Sequence, residues 1–172
     1  FILYLSTMMI PITVRLIPSY NLCRNLNMLD TYMGMILPQV AWSIPFGTFL
    51  MRQFYMGIPK QLDEAAKIDG ANHFQIFWKI LLPNTKSSMT TLGIYTFISA
   101  WNNLIWMLLS VRSESKWTVT LGISSICGAS VIKQPTWNLI MGVIVIGMIP
   151  VLILFFAFQK YFMQSVAATG IK

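Results

Sequence analysis

The sequence predicts an all-α, polytopic membrane protein, and three observations carry that prediction. First, the 172 residues are 56% hydrophobic and only 10% charged, with a mean hydropathy of +0.65. A soluble domain carries about 25% charged residues, so this chain cannot cover a soluble surface. Second, residues 31–51, 87–111 and 134–159 contain no charge at all. Each run reaches the roughly 20 helical residues needed to cross a hydrocarbon core. Third, a polar island at 52–86 interrupts the apolar pattern and reads as a folded loop between spans.

Segment one covers residues 1–20. It opens inside an apolar run, without an initiator Met, a charged flank or a signal-peptide pattern. The chain is therefore expected to lack its natural N-terminal part. Pro11 and Pro18 interrupt the segment, which membrane helices tolerate where neighbours re-satisfy the freed backbone groups. Arg15, close to the segment end, is expected to snorkel to the interface. Residues 21–30 form a short polar connection. Segment two, 31–55, contains Pro38 and Pro45, and the island at 56–86 follows. Segment three is 87–111. The loop 112–135 is only moderately apolar in its middle, 117–132, which reads as interfacial or partly inserted. Segment four runs from 136 to about 163. The whole chain, 1–172, is expected to be one transmembrane domain carrying the island 56–86 as a loop.

Four crossings place both chain ends and the island on one side. That side carries seven basic residues (Arg52, Lys60, Lys67, Lys79, Lys86, Lys160 and Lys172) against five on the other (Arg15, Arg24, Arg112, Lys116 and Lys133). Lys and Arg gather on cytoplasmic loops, so the island is expected in the cytoplasm. The net charge of +7 is explained by this topology without a nucleic-acid partner. Cys23 and Cys127 have no metal or CxxC spacing and read as small apolar fillers.

Within the island, Pro59 suits a first helical turn. Asp63 and Glu64 lie near that helix's N-terminus, where acids are favoured, and Ala65 and Ala66 are strong helix formers. Gly70 can supply a left-handed stop. Asn72 and Gln75 have the spacing of a capping box for a second helix. There Phe74, Phe77, Trp78 and Leu81 fall on one apolar face, and Pro83 is expected to end the helix. Asp69 opposes the macrodipole at a helix C-terminus, and paired alanines permit close approach. From these residues, a loop lying on its own membrane domain and a loop docking a partner are equally good readings.

The string Glu64-Ala65-Ala66, Asp69-Gly70-Ala71 and Leu82-Pro83 resembles the EAA loop of permeases from binding-protein-dependent ABC importers. Met9-Ile10-Pro11, Leu29-Asp30-Thr31, Arg52-Gln53-Phe54 before Ile58-Pro59, Trp101-Asn102, Gln159-Lys160-Tyr161-Phe162 and Thr169-Gly170-Ile171-Lys172 resemble the maltose-type carbohydrate and glycerol-phosphate branch. Ser165 stands where a Gly is common, and the tail stops one residue short of the usual terminal Gly. The resemblance implies that the four segments are helices three to six of six, in a prokaryotic cytoplasmic (inner) membrane. It implies a coupling loop that docks on a cytosolic ATPase, through Glu64, Ala65, Ala66, Asp69, Gly70, Ala71, Phe74, Phe77, Trp78, Leu82 and Pro83. The partners implied are ATPase subunits, a second permease subunit, an extracytoplasmic solute-binding protein and membrane lipid. The chain itself would bind no cofactor, with ATP and Mg held by the ATPase.

No catalytic constellation is present. There is no P-loop, His73 is the only histidine and reads as a surface contact, and three of the five acids lie in the island. The chain is not expected to be an enzyme. Polar and aromatic groups inside apolar segments mark a translocation path, and Gln39, Ser43, Trp101, Asn102, Asn103 and Asn138 are the candidates. The other reading of these groups is an interfacial belt or helix–helix hydrogen bonds. Trp106, Trp117 and Trp137, near segment ends, read as belt residues. The solute is expected to be a sugar or a sugar-like molecule. Glycerol 3-phosphate or another small solute is the alternative, and an ATP-independent channel or carrier a poorer one.

Overall fold

A computed structural model describes residues 1–132 and 137–170, with side chains described for 1–128 and 137–159. Among the described residues every regular element is helical. Lys133 and the terminal Ile171-Lys172 lie outside the described part, and Lys160, Tyr161, Phe162 and Ser165 are described in backbone alone.

Two unbroken helices are long and apolar enough to cross a membrane: α3, Tyr32–Met56, and the Trp137–Gln159 portion of α10, Trp137–Gly170. Pro38, Pro45 and Pro150 lie inside them without ending them. Among the described residues two bent pairs of helices would bring the number of crossings up to four if each pair is one span. The first is α1, Ile2–Met8, with α2, Ile12–Asn25, bent by 98° at Pro11. Pro11 has extended backbone (ψ 142°) and occupies the N-cap of α2, whereas Pro18 sits within α2 and does not interrupt it. The polar connection shrinks accordingly, because α2 runs on through Asn25. The second pair is α7, Lys86–Trp101, with α8, Leu104–Ser110, bent by 53°. Segment three is thus broken at Asn102-Asn103 rather than continuous. The Asn103 side chain accepts a hydrogen bond from the Trp106 N–H at 3.3 Å and caps α8, which is what Asn does at helix starts.

The loop after α8 contains a 3-10 turn, Glu114–Lys116, and then α9, Val119–Ile132. At about 21 Å, α9 is too short to span a membrane, and it packs on α8 and α10. The main buried cluster lies where α2, α3, α8 and α9 meet and comprises Leu16, Cys23, Met35, Trp106, Met107, Val111 and Leu121. Trp106 is its centre at 0% exposure. Its Nε1–H donates to the Gly34 carbonyl at 3.0 Å, and its ring meets Trp42 edge-on at 5.2 Å. The belt role expected for Trp106 is therefore corrected: the indole packs and hydrogen-bonds two helices together. Arg15 also departs from expectation. Its guanidinium lies 5.6 Å from the Trp42 ring centroid instead of extending away from the protein, and its Nε has no partner within the chain.

The connection before α3 is locked by Asp30, which has left-handed backbone (φ 56°). Its carboxylate accepts from the Arg112 N–H at 3.1 Å, the Ser113 N–H at 3.0 Å and the Ser113 hydroxyl. Lys116 Nζ pairs with it at 3.5 Å and also donates to the Asp30 carbonyl. This staple fixes the start of α3 against the end of α8.

Candidate coupling site

The island folds as two short helices between α3 and α7. α4, Lys60–Ile68, follows Pro59, which occupies the N-cap. Asp63 and Lys67 pair at 2.6 Å one turn apart. Such an exposed pair is worth about 0.3–0.5 kcal/mol, so it trims the helix and does not decide its position. Asp69 is the C-cap, and Gly70 follows with φ +80°. The Gly70 N–H donates to the Lys67 carbonyl at 3.0 Å and the Ala71 N–H to the Ala66 carbonyl at 2.9 Å. These two bonds form a Schellman stop, in which a left-handed glycine satisfies the last carbonyls of a helix. A Cβ on Gly70 would meet nothing within 4 Å, so the turn is open to the outside.

α5, His73–Ile76, starts at a complete capping box. The Gln75 N–H donates to Asn72 Oδ1, and the Asn72 N–H to Gln75 Oε1, both at 2.9 Å. The helix then widens into a π-helical turn, Phe77–Leu81, and continues as α6, Leu82–Asn84. The expected stop at Pro83 is corrected here. Proline lacks an N–H and crowds the carbonyl four residues back. The wider turn immediately upstream lets the chain pass Pro83 without unwinding. The Leu82 N–H reaches back to the Phe77 carbonyl.

The apolar stripe divides where α5 meets the π turn, between Phe74 and Phe77. Phe77 and Leu81 are half-buried, and Phe77 meets Tyr55, near the end of α3, with ring centroids 6.2 Å apart. Phe74 and Trp78 point outward at 71% and 53% exposure. The internal anchor is Ile76, 2% exposed, which the stripe pattern had passed over. The alanine pair divides as well: Ala66 is buried and Ala65 exposed. Ile68, 87% exposed, and Leu62 join the outward apolar surface. Ile68 lies on the side of α4 away from Ala66, whereas Leu62, one turn before Ala66, lies on the flank of Ala66's own face. Glu64, Asp69 and Pro83 are exposed, while Ala71 and Leu82 are half-buried.

The translocation candidates do not converge. Gln39 Nε2 donates to the Met35 carbonyl and the Ser43 hydroxyl to the Val40 carbonyl, each within its own helix. Trp101 stacks on Phe97 at 5.6 Å and donates from Nε1 to the Gly147 carbonyl at 3.3 Å, joining α7 to α10. Asn103 is the cap already described, and Asn138 is exposed near the start of α10. Asn102 lines a cavity of about 500 Å³ between α3 and α7. Its other lining residues are Phe46, Leu50, Thr91, Tyr95, Ile98 and Ser99, with Phe46 and Tyr95 rings 4.4 Å apart. Sequence spacing could have found this group: Thr91, Tyr95, Ile98, Ser99 and Asn102 recur every three to four residues along α7.

Among the described residues, bent and unbroken apolar helices with a short helical loop between two of them define a polytopic membrane protein. The chain belongs to the family of binding-protein-dependent transport system inner membrane components, whose model matches residues 1–168. It is 39% identical over 166 residues to the sn-glycerol-3-phosphate transport system permease protein UgpE of Yersinia enterocolitica, covering 96% of this chain and 58% of that protein. It is 33% identical to the arabinooligosaccharides transport system permease protein AraQ of Bacillus subtilis, covering all of this chain and 59% of the relative. The structure resembles a chain of a bacterial ABC transporter involved in the import of the acidic polysaccharide alginate, with a TM-score of 0.69 and 29% identity. That match covers 85% of this chain and 55% of the other. The chain thus spans rather more than half the length of the relatives it matches.

Proposed function

We propose that this chain is the transmembrane permease subunit of an ATP-driven ABC importer for a sugar or sugar-like solute. In this reading it lines the translocation path and couples to cytosolic ATPase subunits through the loop α4–α6. The observation that carries the reading is the loop's construction. A Schellman stop at Gly70 and a capping box at Asn72 hold two short helices rigidly at an angle, with Ile76 and Phe77 fastened inward and Ile68, Phe74 and Trp78 left outward. Exposed apolar patches of this kind mark partner contacts.

ATP binding closes the partner ATPases and moves the loop. α3 and α7 flank it directly, so the motion changes their mutual tilt and opens the Phe46–Tyr95–Asn102 cavity to alternate sides. That is a two-state element biased by a ligand on another subunit. Aromatic faces beside amide and hydroxyl groups suit stacking on a sugar ring with hydrogen bonds to its hydroxyls, which makes Phe46, Tyr95, Ser99 and Asn102 the solute-facing set. ATP and Mg stay in the ATPase, and a second permease subunit and a solute-binding protein complete the complex. Glycerol 3-phosphate is the second solute class, since the UgpE relatives are named for it. The test is ATPase activity of the complete transporter in lipid vesicles, with its solute-binding protein and a panel of oligosaccharides and glycerol phosphates. Stimulation by one panel member identifies the solute. An intact complex that responds to none of them contradicts the carbohydrate reading.

A further inference from the structure

A second cavity of about 500 Å³ lies at the opposite end of α3 from the loop, lined by Tyr20, Arg24, Asn27, Leu29, Asp30 and Arg112. α3 has 25 residues, so at 1.5 Å per residue the two sites are about 37 Å apart. With the loop on the ATPase side, this cavity faces the compartment from which solute arrives. Its charges are unbalanced. The described residues contain two ion pairs, Lys67–Asp63 and Lys116–Asp30. Asp30 is thus committed to Lys116 and to the Arg112 and Ser113 N–H groups, and neither the Arg24 nor the Arg112 guanidinium has a carboxylate partner. Arg24, in the last turn of α2, has a local reason to be basic in the helix dipole. Arg112 stands in an extended stretch after α8 and has none. Both are exposed on the face where the bias against Lys and Arg operates.

We propose that Arg24 and Arg112 form an anion-binding pocket that seats an acidic side chain of the docked solute-binding protein. The proposal rests on the importer reading above. Guanidinium groups recognise carboxylates through paired N–H donors, and the Tyr20 hydroxyl and Asn27 amide lie in the same lining. The occupant is a protein because the family itself is binding-protein-dependent, and because the lining is made of helix-end and turn residues, with Leu29 the one aliphatic side chain. Asp30, whose staple ties α3 to the end of α8, is part of the same lining. A carboxylate seated there would therefore act on the same helix that carries the coupling loop.

The test uses the complete transporter with full-length permease in nanodiscs, with and without phosphatidylglycerol, titrated with its solute-loaded binding protein. Arg24→Gln with Arg112→Gln should raise the binding-protein concentration for half-maximal ATPase stimulation at least about tenfold and flatten its salt dependence, with the maximal rate unchanged. Arg24→Lys with Arg112→Lys should keep most of the wild-type response. The single Gln variants, each at an exposed side chain, carry the test if the double variant does not assemble. An unchanged titration in an assembled variant overturns the pocket and leaves the importer reading standing. A shift that tracks phosphatidylglycerol instead assigns the pocket to a lipid headgroup and overturns the docking role. A wild-type complex that the binding protein never stimulates overturns the importer reading itself.

Discussion

Gly34 has no room for a side chain: a Cβ there would lie 2.0 Å from the Met28 carbonyl oxygen. The close approach lets Thr31 cap α3, accepting from the Gly34 N–H at 3.1 Å, and leaves the Gly34 carbonyl for Trp106. Trp106→Ala should cost about 3–5 kcal/mol through the cavity it leaves, and Trp106→Phe less, about 1–3 kcal/mol for the Gly34 carbonyl left unpaired. Thermal unfolding of the purified full-length permease would rank the two, and equal losses would contradict the packing account. Asp30 gives a pH prediction. The Ser113 hydroxyl, then the Ser113 and Arg112 N–H groups, hold its carboxyl well below the usual carboxylate range. With the folded value depressed, the stabilisation is present above the unfolded value of about 4 and disappears as pH falls through the folded one. The difference in melting temperature between wild type and Asp30→Asn should therefore be the same at pH 5 and pH 8. A difference that shrinks between those values would contradict the staple. At this scale the sequence was informative where local chemistry decides, as at Gly70, Asn72 and Gln75. It was silent where two distant segments meet. Nothing near Trp106 in the chain indicates Gly34, and its place near a segment end suggested a lipid interface instead.

The loop α4–α6 shows the same division among elements. Its capping box and glycine stop are local patterns and were legible, whereas the π turn was not, because a pattern search at 3.6 residues per turn assumes the register that Pro83 disturbs. The stripe Phe74, Phe77, Trp78 and Leu81 divides between outside and inside, with Ile76 taking the buried place. The break at Asn102-Asn103 was hidden for another reason: an asparagine in a charge-free run reads as a polar group lining a cavity, and Asn103 instead caps α8. Asn72→Ala should remove the box at a cost of about 1 kcal/mol. Hydrogen–deuterium exchange should then quicken at the Gln75 and Ile76 amides while α4 stays protected. Unchanged exchange at Gln75 would show that tertiary contacts, not the cap, hold α5.

Across the described residues, the three charge-free runs fall on helices apolar enough to cross a membrane, two of them on unbroken helices and the third, 87–111, on a bent pair. The bends bring the two ends of the chain's membrane part into different roles. One end carries the outward loop between α3 and α7, and the other carries the Asp30 staple together with Arg24 and Arg112, which have no carboxylate partner among the described residues. α3 joins them as a single helix, and in the proposed importer a push at the loop would be felt at the cavity lined by Phe46, Tyr95 and Asn102. Tyr95→Ala should weaken solute-stimulated transport at least about tenfold while leaving ATPase activity without solute unchanged. Transport at the wild-type rate would remove this cavity from the path.

Coupling through the loop is the central claim, and Gly70 tests it most directly. The site is open, so a side chain there strains the left-handed turn by about 1 kcal/mol without meeting the permease itself. The measurement is solute- and binding-protein-stimulated ATPase activity of the reconstituted transporter, wild type against Gly70→Asp, with subunit stoichiometry checked by co-purification. The account predicts an assembled complex that retains unstimulated hydrolysis and loses the stimulation. Full stimulation in the assembled variant would contradict it.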